Sequence, residues 1–199
     1  GGGNMFAHAL SAGLVRAGHA VRFDLADPDI DAIVLTDPRR RNPAAAFGPG
    51  AILRYLAWRN PAAIVFHRIN ECDLRKGTRN IDAMLARANY CADVTAFVGE
   101  WLTALPVWRA NRRTPFRILR NGADGTLFHD RGQVPWDGQE PLRLVTHPLG
   151  FHRLKGFDVY AAIDALLDDP ARRRQLAFTY VGNLPPGFRF RNATYLPPL

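Results

Sequence analysis

Residues 146–160 read THPLGFHRLKGFDVY, and Lys155 within them is one of two lysines among 26 basic side chains; the remaining 24 (26 − 2) are arginines. The segment leaves an apolar strand, passes through a loop at 147–155, and meets Gly156, which opens a helix. Free N–H groups and the helix dipole favour an anion at such a helix start, by about 0.3–1 kcal/mol before any side chain helps. A lysine there adds a compact, mobile cation that can follow a diphosphate, where arginine prefers a fixed planar fork. Lys155 and Gly156 therefore make a candidate anion site; the plainer alternative is a solvated lysine at a loop end.

Other groups with chemical potential are scattered. In VFHRINECD, His67 ends an apolar run, as a ligand-facing group or a satisfied core histidine, while Glu71 and Asp73 serve as helix caps or as acceptor-binding carboxylates. Asn121–Gly122 reads as a turn needing positive φ, with ligand contact secondary. Gly1, Gly2 and Gly3 form a glycine-rich loop ahead of a helix, or a cloning remnant, against which that helix argues. His147 and His152 flank the lysine loop, each as suited to a loop hydrogen bond as to a ligand. No His/Asp pair has the spacing of a metal shell, and the acidic pair in DPD, 27–29, suits a turn better. Cys72 and Cys91 belong to no CxxC pattern and make no disulfide framework, which points to a reducing cytoplasm.

Elements must hold these groups in place. Phe6, Leu10, Leu14 and Val15 share one helical face; Gly18 ends that helix and a strand follows at Ala20–Leu25. Strands are then expected at Ala32–Thr36, Ala63–His67, Val94–Val98 and Phe116–Leu119, with helices at Pro49–Arg59, Asn80–Cys91 and Glu100–Val107. This alternation means βα units on a parallel sheet with helices on both faces. The expected domains are 1–128, a polar Gly/Pro-containing linker at 129–141, and 142–199. In the last of these the rhythm resumes as strand Leu142–Thr146, helix Gly156–Leu167 and strand Ala177–Val181. A glycine loop normally follows a strand, so the first domain reads as lacking its leading strand, and the second as cut short.

Composition sets the outer limits. The chain has 199 residues, 47% hydrophobic, with a formal charge of +8 (26 − 18). No run approaches the ~20 apolar residues of a membrane span. The charge asks for anionic partners: phosphorylated ligands, acidic lipid or nucleic acid. Arginines cluster at Arg39–Arg41, Arg112–Arg113 and Arg172–Arg174, but without an RNP motif, zinc finger or helix-turn-helix, which disfavours nucleic acid. GGGNMF is not GxGxxG and Asp24 lies inside its strand, which disfavours a dinucleotide dehydrogenase.

LRLVTHPLGFHRLKGFDVY resembles the first strand, loop and helix of the nucleotide-sugar domain in GT-B glycosyltransferases, family 4 especially. GGGNMFAHALSAGLVRAGHAV, VFHRINECD, ADVTAFVGEWL and ILRNGADGTLFH are similar to that family's glycine loop, fourth-strand exit, strand-helix unit and domain-closing segment, in the family's order. The resemblance implies a GT-B fold of two Rossmann-like domains. It implies transfer of a sugar from a nucleotide-diphosphate sugar to an acceptor hydroxyl, with retention, and no cofactor or metal beyond that donor. Lys155 would contact the donor diphosphate beside Gly156. Where the family has an arginine about six residues earlier, this chain has Leu149, and Arg153 is the nearest substitute. His67 would face the transferred sugar as the catalytic residue, with Glu71 and Asn121 as acceptor or sugar contacts and Gly1–Gly3 as the glycine loop. Partners would be the donor and a carbohydrate or glycolipid acceptor, with peripheral contact to an anionic inner membrane face; the family's paired carboxylates would lie beyond Leu199. The rivals are a nucleotide-sugar epimerase on the same scaffold, or a non-catalytic α/β module binding phosphorylated ligands or RNA.

Overall fold

A computed structural model describes residues 2–39, 45–111, 115–148, 150–151 and 153–198, with side chains from Met5 onward. Gly1, Arg40, Arg41, Arg112, Arg113, Leu149 and His152 lie outside the described residues. The chain divides into two compact units, residues 1–129 and 130–199. No helix among the described residues is long and apolar enough to cross a membrane.

The first unit runs α1 (Gly2–Arg16), β1 (Ala32–Leu35), α2 (Pro49–Trp58), β2 (Ile64–Ile69), α3 (Asp73–Lys76) and α4 (Ile81–Ala88), then a 3-10 turn at Asn89–Cys91. It continues with β3 (Val94–Phe97), α5 (Glu100–Thr103), α6 (Pro106–Asn111) and β4 (Phe116–Ile118). All four strands are parallel and stand in chain order, β1-β2-β3-β4. The second unit runs β5 (Leu142–Thr146), a 3-10 turn at Arg153–Lys155, α7 (Phe157–Leu166), α8 (Pro170–Arg173), β6 (Leu176–Val181) and β7 (Thr194–Leu196). Its sheet is also parallel and sequential. Both units are α/β with parallel sheets, compatible with Rossmann-like folds.

Sequential order has a consequence for the faces. Parallel crossovers are right-handed, and when every step goes the same way they place all connections on one side of the sheet. Ile33, Leu35 and Val65 accordingly pack with Ile52 and Tyr55 of α2, and Ile69 and Phe97 with Leu85 of α4 and Trp108 of α6. Burying side chains of this size stabilises by about 1.5–3 kcal/mol each. Side chains alternate across a strand, so Ile64, Phe66 and Arg68 point the other way, and Ile64 stays 49% exposed. The expected helical cover on both faces is therefore lopsided.

Local chemistry explains the other departures. Ala20–Leu25 is not a strand: Asp24 and Asp27 accept from the backbone of Ala26 and Asp29, two tight turns that compete with a ladder. Glu100–Val107 is two short helices rather than one, because Pro106 has no N–H to continue the first and starts the second. Gly18, at φ +89°, ends α1 as expected, with His19 N–H donating to Leu14 O. Asn121 and Gly122 both keep negative φ; the turn falls later, where the Asp124 carboxylate accepts from the Thr126 N–H and hydroxyl. Strand β7 went unforeseen because three exposed residues before a Pro-Pro pair carry little pattern. Asp164 builds its approach: the buried carboxylate accepts from the N–H groups of Arg191, Asn192 and Ala193 at 2.7–2.9 Å. Burial opposes ionisation of Asp164, but those three donors and the Arg191 charge outweigh it and hold the carboxyl below the ordinary carboxylate range.

Candidate functional site

In the second unit, β5 ends at Thr146 and the chain loops to α7. Gly156 caps α7 at φ +93°, and a side chain there would also stand 3.3 Å from the Tyr160 ring. Gly182, just past β6, has φ +133°, and a Cβ on it would meet the Pro148 carbonyl oxygen at 2.6 Å. The loop thus presses its backbone on the neighbouring strand end, at a place only glycine allows. Thr146 donates its hydroxyl proton to Tyr160 Oη at 3.2 Å, tying the strand end to the helix. Beneath lies an aromatic core of Phe157, Tyr160, Phe178, Tyr180, Phe188 and Phe190.

Lys155 and Arg153 stand exposed on the 3-10 turn before Gly156, and among the described residues neither has an ion-pair partner. Asp158, in the first turn of α7, is the acidic group nearest in the chain. Two cations against one carboxylate leave a local balance of +1 (2 − 1). An anion meeting this turn finds a mobile ammonium and a helix start together. The structure brings Lys155, Arg153 and Gly156 into one short segment.

The first unit holds the other candidates, at the C-terminal ends of its strands, where open α/β sheets bind ligands. His67 is fourth in β2 and has no exposed area. Its Nδ1 lies 3.0 Å from Asn89 Oδ1, which also accepts from the Thr95 hydroxyl. An acceptor at Nδ1 fixes the proton there, leaving Nε2 as a buried lone pair without a partner among the described residues. Burial pushes the ring down to about 4, only partly offset by Asn89, so His67 is neutral at physiological pH. No solute reaches it in this arrangement. Glu71 is 7% exposed, and its oxygens pair with Arg39, at 2.9 Å, and with Lys76. Asp73 caps α4, its carboxylate accepting from Thr78 Oγ1, Ile81 N–H and Asp82 N–H. Asn121 is exposed and accepts from Arg68 Nη2 at 2.8 Å.

The N-terminal glycines depart from expectation. Gly2 and Gly3 lie inside the first turn of α1 rather than in a loop preceding it. Among the described residues no three His, Cys, Asp or Glu side chains gather as metal ligands. Cys72 and Cys91 are both free and buried; burial raises the Cys91 thiol to about 11.

Sequence reasoning missed Arg68 and Asn89. Arg68 sits in an apolar strand beside His67, where period-2 alternation sends the two side chains to opposite faces; that was the available signal. Asn89 carried none, since its role depends on the 3-10 turn that ends α4. No protein-family model matches this chain, and no curated protein is similar enough to count as a relative. The likeness to glycosyltransferases rests on the motifs alone.

Proposed function

We propose that this chain is the nucleotide-sugar-binding and acceptor-side part of a GT-B glycosyltransferase, family-4-like, that transfers a sugar to an acceptor hydroxyl with retention. The carrying observation is the β5–loop–Gly156–α7 segment with Lys155 exposed and, among the described residues, unpaired at the helix start. In this reading the donor diphosphate lies against the first turn of α7, with Lys155 and Arg153 balancing its charge. As the glycosidic bond breaks, negative charge grows on the leaving diphosphate, and a preorganised cation stabilises that state more than the ground state. The nucleotide-sugar is a substrate, and no further cofactor enters the reading. Two parallel α/β units in one chain supply the scaffold such a reaction uses. The reading gives His67 a positioning place behind the end of β2 instead of contact with the sugar, because its ring is enclosed by Asn89 and Thr95.

Calorimetric titration of the chain with UDP, GDP and ADP tests this. One of them should bind, and Lys155→Ala should weaken that binding by about tenfold or more, the worth of one charge-assisted contact. Binding of none of the three, or an unchanged affinity in Lys155→Ala, sinks the reading. Tight binding of RNA in their place would favour the binding-module alternative.

A further inference from the structure

A buried guanidinium without a carboxylate beside it is unusual, since its lost hydration goes uncompensated. Arg68 on β2 is such a group. It is 4% exposed, and no Asp or Glu among the described residues pairs with it. Its neighbours are neutral: Asn121 Oδ1 at 2.8 Å from Nη2, and the Phe6 ring centre at 3.7 Å from Cζ. Its Nε is buried and has no hydrogen-bond partner among the described residues. Burial draws its pKa below the usual arginine range, with no nearby charge to restore it. Glu71, three residues on, cannot serve, because Arg39 and Lys76 occupy its oxygens. Asp37 is likewise engaged, by Arg39.

We propose that Arg68 and Asn121 form a binding site for a small oxyanion, a phosphate or a carboxylate, at the C-terminal edge of the four-stranded sheet. A planar two-oxygen group matches the guanidinium fork with parallel N–H···O bonds and supplies the missing negative charge. Asn121 has committed its oxygen to Arg68, so its Nδ2 hydrogens are free to donate to the same anion. Asn121 is exposed and gives a small solute its approach from solvent. The site lies wholly in the first unit and stands whether or not the second binds a nucleotide.

The test uses the whole chain, with inorganic phosphate and acetate as probes, at ionic strength held constant with chloride. In nitrogen-edited NMR the Arg68 Nε–H signal, identified by its loss in Arg68→Gln, should shift saturably with at least one probe. The stronger probe tells a phosphate source from a carboxylate source. In urea unfolding, the same probe should raise the midpoint of the wild type. Asn121→Ala should weaken binding several-fold, and Arg68→Gln by about tenfold or more. Lys155→Ala should leave the anion affinity intact, which separates this site from the nucleotide reading. Without the probe, Arg68→Gln should be at least as stable as the wild type, because it removes an uncompensated charge. The proposal is overturned if neither probe moves the Arg68 signal, or if the probe protects Arg68→Gln equally. It is also overturned if Arg68→Gln is markedly less stable in chloride alone, for then the fold already satisfies the charge.

Discussion

The His67 ring makes the first unit sensitive to mild acid. In the folded chain its pKa lies at about 4, set by burial and only partly restored by Asn89; unfolded, it returns to about 6.5. A proton therefore prefers the unfolded chain. The stability that a neutral His67 provides is fully present above the unfolded value, is lost as pH falls from about 6.5 toward 4, and changes no further below that. The shift of about 2.5 units corresponds to about 3 kcal/mol at most, and about 2 kcal/mol has gone by pH ~5. That is a large share of the ~5–15 kcal/mol that holds an ordinary domain together.

Urea unfolding followed by tryptophan fluorescence reads this directly. Trp58, Trp101 and Trp108, three of the four tryptophans, lie in the first unit, and Trp108 is 1% exposed. The wild type and His67→Gln are compared at about pH 7.5 and about pH 5. The glutamine variant starts less stable but should lose about 2 kcal/mol less between the two conditions. Carboxylates titrate in both proteins, and their contribution cancels in the difference. Equal losses in the two proteins would refute the reasoning and place an open path to solvent beside the ring.

Two substitutions in the second unit probe its supports. Asp164→Ala leaves the N–H groups of Arg191, Asn192 and Ala193 without their acceptor; it should cost about 2–4 kcal/mol and release β7, seen as fast amide exchange at Tyr195, whereas retained protection there would show that Asp164 is dispensable. Gly182→Ala puts a Cβ 2.6 Å from the Pro148 carbonyl at φ +133°; it should destabilise by about 1–3 kcal/mol and weaken nucleoside diphosphate binding without touching Lys155, and unaltered binding would uncouple the strand end from the loop.

How much of this was readable from residue order depends on range. The short runs AIVLT, AIVFH, VTAFV and LRLVT located their strands to within a residue or two because a buried parallel strand needs little beyond β-branched and apolar side chains. Lys155 and Gly156 were legible because a strand, a glycine and a helix start within a few residues is a local arrangement. Ala20–Leu25 was expected as a strand too, yet a strand also needs a neighbour to pair with, and that partner is not encoded in the six residues themselves. The same limit hid the polar groups. His67 and Arg68 are adjacent in sequence but serve opposite faces, and what each meets comes from far along the chain: Asn89 and Thr95 for one, Phe6 and Asn121 for the other. The strand order then decides how those faces differ. With four parallel strands in sequence and every crossover of one hand, helices enclose the His67 side and drive its ring to neutrality. The opposite side keeps Arg68 near an exposed asparagine, where a charge left without a partner can be met by a solute.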